Sequence, residues 1–157
     1  MHKIPVLKIA HGCYAIILHV SRRSLINVGS LGQMCFEKGY YVYIGSAAGG
    51  NISIASRVNR HIRIANIKSG KIRWHIDYLL SSKNTNIQGV VFSKSNMRLE
   101  CILSKEVAKI ADGVKKGFGS SDCRSHCQGH LYYFKADPKI RIHECLRKVI
   151  LKDNPAS

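Results

Sequence analysis

Residues 12–20 read Gly12-Cys13-Tyr14-Ala15-Ile16-Ile17-Leu18-His19-Val20. Six apolar residues in a row, rich in β-formers and bounded by turn signals, fit a short buried strand. The run has no small-residue cleavage site, so it does not read as a signal peptide. No stretch approaches the roughly 20 apolar residues of a membrane span. The expectation is a cytoplasmic protein with no membrane partner.

Working outward from that strand, Leu25–Val28 reads as a minor strand after the Ser21–Ser24 turn, and Tyr40–Ile44 as the next clear one. Asn51 or Ser53 can cap a helix over Ile54–Ile64 whose apolar stripe is Ile54, Ala55, Val58, Ile62 and Ala65. Trp74–Leu80 is a shorter helical stretch and Ile87–Phe92 a strand. Leu99–Ile110 is a strong helix with Leu99, Ile102, Leu103, Val107 and Ile110 as its stripe, and Leu131–Phe134 a closing strand. This order predicts an α+β domain, a small mixed and mainly antiparallel sheet flanked by helices. One domain covers 1–157, with its core at about 12–134 and a basic C-terminal extension at 135–157.

Charge points to the class of partner. The chain of 157 residues carries 25 Lys and Arg against 9 Asp and Glu, a formal net charge of +16. Residues 1–99 hold 14 of the bases and only two acids, Glu37 and Asp77. Such a field concentrates polyanions, and phosphate backbone is the expected ligand, DNA before RNA. Residues 38–76 contain seven Lys or Arg and no acid, so Arg60, Arg63, Lys68, Lys71 and Arg73 are the expected phosphate-contacting face. Trp74 and Tyr78 share a helical face and suit stacking on an unpaired base. The bland alternative has the aromatics packing their helix and Asp77 bonded to a nearby arginine.

Without a secretory signal the six cysteines read as reduced thiols. Cys123, Cys127 and His130 have a spacing seen among zinc ligands, with Cys101 or Cys145 available to complete it. A structural site usually brings two well-separated ligand pairs, so zinc is not expected here.

Three motifs together resemble the GIY-YIG nuclease superfamily. They are Gly12-Cys13-Tyr14, Tyr43-Ile44-Gly45-Ser46, and the helical Arg57-Val58-Asn59-Arg60-His61, followed downstream by Leu99-Glu100-Cys101-Ile102-Leu103. Trp74-His75-Ile76-Asp77-Tyr78-Leu79-Leu80 and Gly117-Phe118-Gly119-Ser120-Ser121-Asp122-Cys123 look like the Uri-type branch, found alone or joined to endonuclease III-like repair glycosylases. Cys13 stands where the family has isoleucine, and 29 positions separate Tyr14 from Tyr43, so Leu25–Gly39 is an insertion within the core motif. The resemblance implies a DNA endonuclease using Mg²⁺ or Mn²⁺, with a repair setting and a repair-protein partner.

Phosphodiester cleavage needs charge on the phosphate, a metal, and a base near the nucleophile. Arg57 offers a permanently charged fork, Glu100 a hard oxygen for Mg²⁺, and Tyr14, Tyr43 and His61 a means to orient or deprotonate water. The resemblance gives the base role to Tyr14. Glu106, in the middle of its helix stripe, is the rival metal ligand. Each residue also has a plain reading: strand tyrosines as core aromatics, Arg57 as a solvated charge, Glu100 as an arginine partner. The rival function is a non-catalytic nucleic-acid-binding module with the same fold.

Overall fold

The computed structural model describes residues 11–47, 53–94, 99–120, 123 and 125–153. The elements are β1 (Gly12–Val20), β2 (Ser24–Asn27), β3 (Gln33–Phe36), β4 (Gly39–Ala47), α1 (Ile54–Ile67), α2 (His75–Leu80), β5 (Thr85–Lys94), α3 (Glu100–Ile110), β6 (Gly113–Val114), β7 (Leu131–Phe134) and α4 (Lys139–Asp153). One sheet has the order β5-β1-β4-β7-β6, and all of its pairings are antiparallel. β2 and β3 form a separate hairpin. The α+β class is as expected, and the sheet is antiparallel throughout the described residues.

Successive side chains of β1 point to opposite faces, and both faces are covered. Tyr14, Ile16, Leu18 and Val20 enter one core with α1 and α2, while Cys13, Ala15 and Ile17 enter a second with α3 and α4. That two-sided burial explains why the strand is continuously apolar rather than alternating. The result is a three-layer sandwich, helices on each side of the sheet. Truncating a fully buried residue such as Leu103 to Ala would cost about 2–5 kcal/mol.

α1 begins at Ser53, whose side chain accepts from the Ser56 amide at 3.1 Å. It ends one turn later than expected, at Lys68, which takes a left-handed conformation (φ 59°) and returns its N–H to the Ile64 carbonyl. Asn51, the other expected cap, lies outside the described residues, as do Gly49-Gly50 and Ser121-Asp122. The buried face of α1 is Ile54, Val58, His61, Ile64 and Ala65. Ala55 and Ile62 of the expected stripe are only half-buried, so a histidine occupies a core position.

On α3 the expected stripe also shifts. Ile102 is exposed, and Ser104 is buried in its place, bonded to the Tyr132 hydroxyl at 2.5 Å. Within the C-terminal extension, Lys139–Asp153 form a helix, α4, which adds Ile142, Cys145, Leu146 and Val149 to the second core. The inserted hairpin packs beside α2 and the loop after β6. An added Cβ at Gly29, between the hairpin strands, would sit 3.0 Å from the Tyr78 hydroxyl, and Phe36 meets Phe118 edge-on. No helix among the described residues is long and apolar enough to cross a membrane.

Candidate active site

The register of β1 on β4 builds one wall of a site. Tyr14 lies opposite Gly45 and Ile16 opposite Tyr43, so the two tyrosines are diagonal neighbours on the α1 face. A side chain at position 45 would place its Cβ 2.5 Å from the Tyr14 ring. The glycine of Tyr43-Ile44-Gly45 therefore clears the space in which that ring lies. Ser46 is opposite Cys13 and faces the other way, where the first residue of α3, Glu100, arrives. The end of β4 thus joins groups from both faces of the sheet. They line a cavity of about 420 Å³ that includes Tyr14, Tyr43, Arg57, Trp74, Glu100 and His130. No residue of the 25–39 insertion is among those lining it.

Tyr14 Oη is 3.0 Å from His61 Nε2, with both residues buried. Burial pulls the His61 pKa down to about 4, against the opposing pull of Asp77, so the imidazole is neutral at neutral pH. Its Nδ1 is 4.0 Å from Asp77 Oδ1, too far for a hydrogen bond. The nearby carboxylate still favours the Nδ1–H tautomer, which leaves Nε2 to accept the Tyr14 proton. Burial pushes the phenols of Tyr14 and Tyr43 up from their ordinary value. Neither is a phenolate at rest.

Arg57 donates from Nη1 to the Ser46 carbonyl, and its guanidinium lies 5.4 Å from the centre of the Trp74 ring. Its buried Nε has no partner among the described residues. The residue nonetheless lines the cavity, where its permanent charge suits an anionic oxygen. Across the cavity, Glu100 accepts from Ser46 Oγ at 2.7 Å and pairs with His130 Nδ1 at 2.9 Å. Burial works to raise the Glu100 pKa, but the bonds from His130 and Ser46, aided by the charges of His130 and Arg57, hold it below its ordinary value. The carboxylate is ionised and keeps lone pairs open to the cavity.

Several residues expected to meet nucleic acid are used inside the fold instead. Arg60 grips Asp77 with both terminal nitrogens, each at 2.8 Å, and also reaches the Lys71 carbonyl. The reason is Asp77 itself, which is fully buried and requires a counter-charge. Asp77 Oδ2 also accepts the backbone N–H groups of Arg73 and Trp74, capping α2. Lys68 donates to the carbonyls of Leu80 and Thr85. Tyr78 packs near Gly29 rather than beside Trp74 at the cavity. Arg63, Lys71 and Arg73 remain exposed. Glu106 faces away from the cavity and bonds Lys109 and Lys152.

Sequence reasoning left two groups without a role here. Ser46 was legible as the residue after Tyr-Ile-Gly, but only the fold turns it toward Glu100. His130 stood out for its spacing from Cys123 and Cys127, and its bond to Glu100 depends on the placement of β7 beside β4. Beside this carboxylate, the ligand atoms of Cys101, Cys123, Cys127 and His130 all lie within 4.8 Å of one another. Cys145, the other thiol available to that group, is buried in the α3–α4 core.

The fold and site define a basic α+β domain with a phenol–imidazole pair, an arginine and a carboxylate around one cavity. The chain belongs to the family described as domain of unknown function DUF123, whose profile matches residues 13–151. No match was found among curated proteins or among solved structures.

Proposed function

We propose that this domain is a divalent-metal-dependent endonuclease that cleaves phosphodiester bonds in DNA, of the GIY-YIG type that its motifs resemble. A cytoplasmic protein of DNA repair is the setting that goes with this reading. The observation that carries it is the meeting of Tyr14, backed by buried His61, with Arg57 and Glu100 at one cavity from three separate elements. A purely binding domain has no need to gather a phenol backed by a proton acceptor, a guanidinium and an ionised carboxylate at one cavity.

The residues divide the work as follows. Arg57 binds a non-bridging phosphate oxygen through the nitrogens not committed to Ser46, and gains strength as charge builds there. Tyr14 Oη takes the proton of the attacking water while its own proton passes to His61 Nε2, and Asp77 stabilises the resulting imidazolium. This relay lets a high-pKa phenol act as a base without being ionised beforehand. Tyr43 packs beside His61 and shapes the water's position.

The donor chemistry fits a hard cation: Glu100 is ionised, faces the cavity, and is oriented by two hydrogen bonds. Mg²⁺ needs only one or two protein carboxylates and keeps its remaining waters. Such an ion supplies charge neutralisation and polarisation at the phosphate. Arg63, Lys71 and Arg73 supply exposed positive charge outside the cavity.

Incubation with plasmid, nicked, abasic and branched DNA in Mg²⁺, Mn²⁺ or EDTA tests the reading. Metal-dependent strand cleavage that EDTA abolishes is the expected result. Tight, salt-sensitive binding without cleavage of any substrate would instead identify a non-catalytic nucleic-acid-binding module.

A further inference from the structure

We infer that Cys101, Cys123, Cys127 and His130 form a zinc site, and that His130 links this site to Glu100. The inference reverses the expectation drawn from ligand spacing alone. Cys123, Cys127 and His130 are close in sequence, but the fourth ligand comes from 22 positions before Cys123, in the first turn of α3. Folding supplies the separated ligand that the spacing lacked.

Geometry supports one tetrahedral ion. Zn–S bonds of about 2.3 Å and Zn–N bonds of about 2.0 Å place neighbouring ligand atoms roughly 3.5–3.8 Å apart. Cys101 Sγ is 3.4 Å from Cys123 Sγ and 4.0 Å from His130 Nε2, and no pair in the group exceeds 4.8 Å. Closing on a metal requires movements of about 1 Å at most. A two-iron cluster divides its ligands between two metals and needs a wider spread than this. Three thiolates and an imidazole are also a soft donor set, suited to zinc and unsuited to Mg²⁺.

A second observation is independent of the sulfurs. His130 Nδ1 is 2.9 Å from Glu100 Oε1. A proton on Nδ1 shared with that carboxylate leaves the Nε2 lone pair directed at the cysteines, the arrangement common to zinc-bound histidines. The chain path fits as well. His126, between the two loop cysteines, takes a left-handed conformation (φ 58°), which helps turn Cys127 back toward Cys123. The loop between β6 and β7 has no regular strand or helix among its described residues, so a metal cross-link to α3 would fix it.

The site therefore has a structural task and a positioning one. Zinc holds the His130 ring, and the ring holds one oxygen of Glu100 at the cavity wall. The second clause matters to function only under the nuclease reading, whereas the zinc itself does not depend on it.

The test is elemental analysis of untagged protein grown with zinc, together with cobalt reconstitution of the metal-free wild type. The expected result is one zinc per chain, absent from Cys123→Ser and Cys127→Ser and retained by Cys35→Ser. Glu100→Gln is expected to keep the zinc with affinity about 10- to 100-fold weaker, as for other partners of metal-bound histidines. Should the cysteine variants fail to fold, the cobalt form of the wild type decides. Intense tetrahedral ligand-field bands with thiolate charge transfer support the site. A weak octahedral spectrum, stoichiometric iron, no metal after reconstitution, or a Cys101–Cys123 disulfide would each overturn it. Every readout is independent of DNA cleavage, so loss of the nuclease reading leaves this test intact.

Discussion

Asp77 and Glu100 are two of only nine acids in a strongly basic chain, and each lies beside a histidine with its pKa held down. Their surroundings differ in what is left over. Asp77 is fully buried and takes two bonds from Arg60 and two from backbone amides, leaving little capacity for a ligand. Glu100 has one partner on each oxygen and a side chain 25% exposed to the cavity. Burial of an acid does not by itself mark function. A saturated carboxylate holds the fold together, and an incompletely satisfied one at a cavity can act on something that enters.

The largest expected effect breaks the comparison at Glu100. Glu100→Gln keeps size and shape, removes the charge, and should lower DNA cleavage by about a thousandfold or more, with DNA binding changed little. Arg57→Ala should cost about a hundred- to a thousandfold by the same logic. Single-turnover cleavage beside equilibrium binding separates the two effects. Equal rates for wild type and Glu100→Gln would remove Glu100 from the chemistry.

Asp77→Asn should act on stability as well as on the relay through His61. It leaves the Arg60 guanidinium half-buried beside a neutral amide and weakens the cap of α2, a loss of about 3–5 kcal/mol for breaking a buried pair. Urea denaturation measures it. A cost below about 1 kcal/mol would show that the pair is not the anchor described here.

The same network sets a pH dependence. His61 has a folded pKa of about 4 against an ordinary 6.5, so between these values the unfolded chain takes up a proton that the folded one refuses. Its contribution is complete above pH 6.5 and is lost as pH falls toward 4, by up to about 3 kcal/mol. Asp77, with a lowered pKa, loses its contribution only below its ordinary value of 3.8. Denaturation midpoints at pH 7 and pH 4.5 should therefore differ for wild type, and the difference should shrink in His61→Gln. An undiminished difference in that variant would assign the effect to other groups.

How far the sequence revealed this contrast depends on the kind of residue. Gly12–Val20 and Leu131–Phe134 were legible end to end because dense β-formers between turn signals leave little choice. α1 was legible too, although His61 on its buried face was not, since an imidazole reads as polar until Tyr14 satisfies it. α4 was hidden by its charges. Ile142, Cys145, Leu146 and Val149 follow helical spacing, but exposed Lys and Arg between them made the segment look like a basic tail. Arg60 and Arg63 looked alike in sequence, and only Asp77 from α2 separates a structural arginine from an exposed one. The same holds for Cys101, whose role depends on where the loop after β6 returns.

The smallest expected effect tests whether position on α3, rather than the presence of an acid, defines the site. Glu100 and Glu106 are six residues apart, which sets them about 120° apart around the helix. Glu106 accepts from Lys109 at 2.8 Å and lies 3.4 Å from Lys152, so it ties α3 to α4 well away from the cavity. The bond from Lys109 holds its pKa below the ordinary value, yet both lysines are mostly exposed and solvent screens the pairs. Glu106→Gln should therefore cost about 0.5 kcal/mol of stability and leave cleavage within about twofold of wild type. A fall in cleavage comparable to that of Glu100→Gln, at unchanged stability, would transfer the metal-binding role to Glu106 and remove the distinction between the two ends of this helix.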